Sequence, residues 1–126
     1  MRQLVELARP LPVTCHKAID DARDLPAALD ALLALGVDRV LTSGGARTAA
    51  GGAAMIAALV RQAGDALVVM AGGGVRAHNV AALVHATGVR EVHARLLRAP
   101  DTELEAGRDV VATFVRALDR ADEPNR

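Results

Sequence analysis

What this sequence lacks narrows it before any motif is read. It has no tryptophan or tyrosine and a single phenylalanine, Phe114. A core of any size must therefore be assembled from Ala, Val and Leu, small units that suit helices laid on a sheet. There is no aromatic platform and no basic stripe, and 15 basic residues balance 15 acidic ones, so composition speaks against a nucleic-acid partner. The lone cysteine, Cys15, excludes an intrachain disulfide and fits a reducing, cytoplasmic setting. Long hydrophobic runs are missing too, each being interrupted by Gly, Asp or Arg. The opening stretch, Met1 to Ala8, is too short for a membrane span and lacks the apolar core of a signal peptide. The expectation is a soluble protein with no membrane partner.

What is present is a repeat. Strand-like runs occur at Val13 to His16, Arg39 to Ser43, Ala66 to Ala71 and Arg90 to His93, and segments with helical periodicity lie between them. Leu25, Leu29 and Leu32 mark one apolar stripe, with Asp24 as N-cap and Pro26 in the first turn. Met55, Ile56, Leu59, Val60 and Ala63 mark the next, behind a Thr48 cap. Val80, Leu83 and Val84 mark a third. Leu104, Val111, Phe114, Val115 and Leu118 mark a fourth, opened by Asp101 and weakened by Gly107. Gly36, Gly64 and Gly88 stand where a left-handed helix exit is needed. Two exits echo each other: Gly36-Val37-Asp38-Arg39-Val40 and Gly88-Val89-Arg90-Glu91-Val92. The strands recur roughly every 25 residues, the period of a βα unit. The expected fold is α/β, with four parallel βα units. A complete (β/α)₈ barrel takes ~250 residues, so 126 residues make half of one. Residues 1–120 form the expected domain and 121–126 a disordered tail.

In parallel folds of this kind chemistry gathers where strands end. The four strand ends read Cys15-His16-Lys17-Ala18-Ile19-Asp20, then Leu41-Thr42-Ser43-Gly44-Gly45, then Met70-Ala71-Gly72-Gly73-Gly74-Val75 with Asn79 beyond, then Glu91-Val92-His93. Taken together and in this order, these stretches resemble the second half of the CutC family, over roughly residues 1–95. Lys17 stands where that family has Arg, Ile19 where it has Phe, Cys15 where an aromatic is usual, and Arg95 where a small residue follows. The family's first four βα units have no counterpart, so half of the pocket is absent. The resemblance implies the C-terminal half of a TIM barrel and a role in copper homeostasis, with copper ion binding as its activity.

The residues themselves offer three chemistries. Donors for copper are Cys15, His16, Met70 and His93, since Cu(I) favours thiolate and thioether and accepts imidazole. Cys15 and His16 are strand neighbours and point to opposite faces, so they cannot grip one ion together. An enzyme reading makes the protein a lyase or isomerase acting on a small phosphorylated or carboxylated metabolite. There His16 or His93 is the base, and Glu91 shares a strand face with His93. Thr42, Ser43, Gly44, Gly72, Gly73, Gly74 and Asn79 would form the anion cradle, at the loops where such barrels often hold phosphate. The third reading is a non-catalytic fragment that needs a partner. His16 and His93 end the two edge strands, so they should face each other across an open pocket without being adjacent. Lys17, the only lysine, is tempting as an imine former, but a cation paired with Asp20 is the better reading. Two unpaired edges call for closure, by a homodimer or by a separate N-terminal half-barrel.

Overall fold

The computed structural model describes residues 1–96 and 104–121. Helix α1 (Arg2–Ala8) precedes four βα units: β1 (Thr14–His16) and α2 (Leu25–Leu35), β2 (Arg39–Thr42) and α3 (Ala53–Ala63), β3 (Val68–Gly72) and α4 (Val80–Thr87), β4 (Glu91–His93) and α5 (Leu104–Ala121). The strands form one parallel sheet in the order β1-β2-β3-β4. Sequence order and spatial order coincide, as expected when each crossover helix returns the chain one strand further on.

The strand alternation sorts side chains into two faces. Cys15, Val40, Val69 and Ala71 turn toward the helices and are buried there with Leu29, Leu32, Ile56, Leu59, Val80 and Leu83. Thr14, His16, Arg39, Leu41, Val68, Met70, Glu91 and His93 turn the other way, onto a face that carries no helix. The small residues expected for the core do supply it, with Phe114 of α5 packed at its margin.

Local chemistry sets the helix ends. Asp24 accepts a hydrogen bond from the Ala27 N–H at 2.9 Å and caps α2, and Gly36 at φ 74° closes it in the left-handed conformation. Gly88 closes α4 in the same way, whereas Gly64 leaves α3 at φ 54° and ψ −129°, outside the αL region expected for it. Thr48 does not cap α3. That helix begins at Ala53, and the Thr48 hydroxyl instead accepts from the Gly51 N–H in the turn before it. The displacement comes from Gly44 and Gly52, whose backbones press together so closely that a Cβ on Gly52 would collide with the Ser43 carbonyl. The chain spends residues 43–52 closing this loop before it can wind into helix. Ala121, expected as tail, is the buried last residue of α5. The rest of that tail and Asp101 lie outside the described residues.

Candidate functional site

The open face and the rim at the strand ends carry every residue singled out by sequence except Cys15, which is buried on the helix side. Burial pushes the Cys15 thiol up from its ordinary value, with a hydrogen bond to the Ile19 backbone opposing. The nucleophilic, metal-binding thiolate is thereby disfavoured, and Cys15 lies on the face opposite His16, Met70 and His93.

His16 and His93 were expected to stand apart. Strands β1 and β4 are separated by three inter-strand spacings, roughly 14 Å in a flat sheet. Their ring centroids are nevertheless 6.4 Å apart, edge to face at 86°. The sheet curls toward its open face and carries the two edge strands' side chains together. Both rings remain exposed. Met70 lies on the same face, half-buried, in the row where register aligns His16 with Leu41, Leu41 with Met70 and Met70 with Glu91. Among the described residues no group of three His, Cys, Asp or Glu side chains is gathered for a metal.

Glu91 does share a face with His93, but it is already engaged. Its carboxylate takes both a 2.5 Å and a 2.9 Å hydrogen bond from the Arg39 guanidinium, a two-pronged pairing across β3. A carboxylate in such a two-pronged pairing has both oxygens occupied by the guanidinium.

The rim shows a second feature that the sequence reading missed. Asp20, in the 3₁₀ turn Ala18–Asp21 after β1, projects its carboxylate into the Thr-Ser-Gly-Gly loop. It accepts from the Thr42 hydroxyl (2.5 Å), the Ser43 N–H (3.0 Å) and the Gly45 N–H (3.0 Å), and Lys17 Nζ lies 3.1 Å away. Burial acts to raise its pKa, but the hydrogen bonds from Thr42, Ser43, Gly45 and Lys17 outweigh it and hold the carboxyl at about 2. Thr42, Ser43 and Gly44 were expected to cradle an external anion. In this structure the Asp20 carboxylate accepts from Thr42 and Ser43, and the Gly44 N–H bonds to the Thr42 hydroxyl, which in turn donates to Asp20. The signal was present, since an acidic residue four positions after His16 is suited to reach a neighbouring strand end.

Lys17 is indeed paired with Asp20. It adopts φ 51°, the one non-glycine residue with positive φ among those described, and donates to Ser43 Oγ at 2.8 Å. Its ammonium also borders the triple-glycine loop: a Cβ built on Gly73 would sit 3.6 Å from Lys17 Nζ. The loops after β1, β2 and β3 thus meet at one rim. Asn79 shapes that loop from within, accepting from the Arg76 N–H (2.8 Å) and donating to the Gly74 carbonyl (3.0 Å), and does not extend toward a ligand.

A half-ring of parallel strands with helices outside and polar loops at the strand ends defines the class: these are four of the eight βα units of a (β/α)₈ barrel. The family model described as CutC family matches residues 1–97, and the chain belongs to the CutC family. It is 50% identical over 93 residues to a CutC family protein of Caulobacter vibrioides, covering 74% of this chain and 38% of that one. It is 52% identical over 94 residues to one of Xanthomonas campestris pv. campestris, covering 75% and 39%. The crystal structure of a CutC protein from Streptococcus agalactiae, whose name assigns it to copper homeostasis, superposes with a TM-score of 0.67 at 34% identity, over 72% of this chain and 45% of that one. The chain therefore spans well under half the length of its relatives.

Proposed function

We propose that this chain serves copper homeostasis by holding Cu(I) on its open face between the imidazoles of His16 and His93, with the Met70 thioether in the same face. The observation that carries the reading is the 6.4 Å approach of two exposed imidazoles from opposite edges of the sheet. An ion bound to imidazole sits ~2 Å from the nitrogen, so rings at this separation leave room for one ion between them. Two imidazoles and a thioether suit copper better than hard oxygen-seeking cations. The copper-homeostasis name of the Streptococcus agalactiae relative supports the assignment. The setting is the cytoplasm, where Cys15 stays reduced, and no helix among the described residues is long and apolar enough to cross a membrane.

The test is a Cu(I) titration against a competing chelator. His16→Ala and His93→Ala should each weaken binding about tenfold or more, consistent with loss of one of two principal donors. Cys15→Ser should leave it unchanged. Both histidines are exposed, so these variants keep the fold. Unaltered affinity in both histidine variants overturns the reading.

The Gly72–Gly74 loop supports a second role, as a seat for a small anion beside Lys17. Lys17 Nζ would lie 3.6 Å from a Cβ on Gly73, which places its ammonium beside the backbone of this loop. The pocket's opposite wall comes from a partner, either a second copy or an N-terminal half-barrel.

A further inference from the structure

Backbone pairing joins each strand only to its neighbours, yet two side-chain contacts on the open face skip strands. His16 and His93 approach from β1 and β4, with ring centroids 6.4 Å apart. Arg39 reaches from β2 over β3 to the Glu91 carboxylate on β4, at 2.5 Å and 2.9 Å. Resting on the reading that the two imidazoles hold the ion, we infer that Arg39 and Glu91 are the positioning residues of that site. Their ion pair is a strut on the open face that draws β4 toward β2 and sets the gap between His16 and His93.

Register supplies the linkage. Glu91 and His93 are two positions apart on β4 and so share a face. On the other side, β2 is joined to β1 by the pairs Thr14 with Arg39, Cys15 with Val40 and His16 with Leu41. The Lys17 N–H adds a bond to the Leu41 carbonyl at 2.9 Å. Strands β1 and β2 thus form one unit, with His16 and Arg39 on the same face. Strand β4 has three residues and pairs with β3 alone. Its tilt about β3 is the motion that parts the rings or closes them, and a bond from β4 to β2 restrains that motion.

The middle strand leaves room for the closure. Gly72 is paired with His93 and turns its bare α-carbon to the open face. A Cβ there would stand 2.5 Å from Leu41 Cδ1 and 3.3 Å from the His93 Cβ. With no side chain on Gly72, residues of β2 and β4 close over β3. The ion pair crosses the same strand nearer its start, where register sets Arg39 beside Val68 and Glu91 beside Met70. The two partners are 30% and 37% exposed, so their hold is modest. A bias of about 1 kcal/mol shifts the closed population, and the affinity of an ion held there, about fivefold.

The measurement is the nuclear Overhauser cross-peak between the ring protons of His16 and His93 in the metal-free chain. It should be present in the unaltered chain, and Arg39→Gln and Glu91→Gln should each weaken it about twofold or more. The double variant should be no weaker than either single one, because the two side chains act as one strut. The methyl signals of Val40 and Ile56, wholly buried on the helix side, should stay in place and show the fold intact. No cross-peak in the unaltered chain overturns the inference. So does a cross-peak indifferent to both substitutions, or losses that add in the double variant. Cu(I) affinity, titrated on the same variants, should fall by up to about fivefold. An affinity that stays level while the cross-peak responds removes copper from between the rings and leaves the strut standing.

Discussion

The two faces of the sheet are made from alternate residues of the same strands, yet they obey different rules. On the helix side, Val40, Ile56, Leu59 and Leu29 are wholly excluded from water, and identity matters less than volume. On the open side, His16, Arg39, Glu91 and His93 stay half-buried or exposed, and each is held by a specific partner or poised for one. The first face is closed by packing, and the second carries the polar side chains on which the proposed function rests. One strand position moves a residue from the one regime to the other, as Cys15 and His16 demonstrate.

The sharpest way to break that contrast is to truncate one aliphatic side chain on each side. Ile56→Ala should cost roughly 2–5 kcal/mol by urea unfolding, because a closed core is left with a cavity. Val68→Ala on the open face should cost less than about 1 kcal/mol in the chain alone, and more once a partner covers it. Equal losses at the two sites would erase the distinction.

Asp20 comes next, an exception in being polar, largely buried and structural. Asp20→Asn should destabilise by roughly 2–3 kcal/mol, since four donors lose a charged acceptor. Its carboxyl is held at about 2 against an ordinary 3.8, so the native state binds fewer protons than the unfolded one. The stability it contributes is complete above about pH 4 and is lost as pH falls toward 2. Acid unfolding of the Asn variant should lack this part of the pH slope. A variant with the same slope would show that the carboxylate is not the anchor of the rim.

The smallest effect belongs to the open-face ion pair. Arg39 and Glu91 are 30% and 37% exposed, so Glu91→Gln should cost at most about 1 kcal/mol. A double-mutant cycle with Arg39→Gln reads the coupling directly. A much larger coupling would place stability on the open face after all.

The fold was legible because its signals are local. Asp24 ahead of a Leu25-Leu29-Leu32 stripe and Gly36 after it specify α2 without reference to anything distant. The site was less so. That Glu91 pairs with Arg39, or Asp20 with the Thr42–Gly45 loop, depends on residues 52 and 22 positions apart being set side by side by the sheet. The approach of His16 to His93 depends on curvature, a property of all four strands together. Strand periodicity assigns a side chain to a face but says nothing of how sharply that face bends.

Lys17 gives the molecule an unplanned handle. Apart from the terminal amine it is the only primary amine in the chain, and it sits among Asp20, Ser43 and Gly73. Any acylating reagent that modifies a side-chain amine must therefore write its mark at the rim. Acetylation there would remove the charge facing Asp20 and swell the space beside the glycine loop. The rate of that single modification is thus a chemical clock for how tightly the three loops are closed, readable by mass alone.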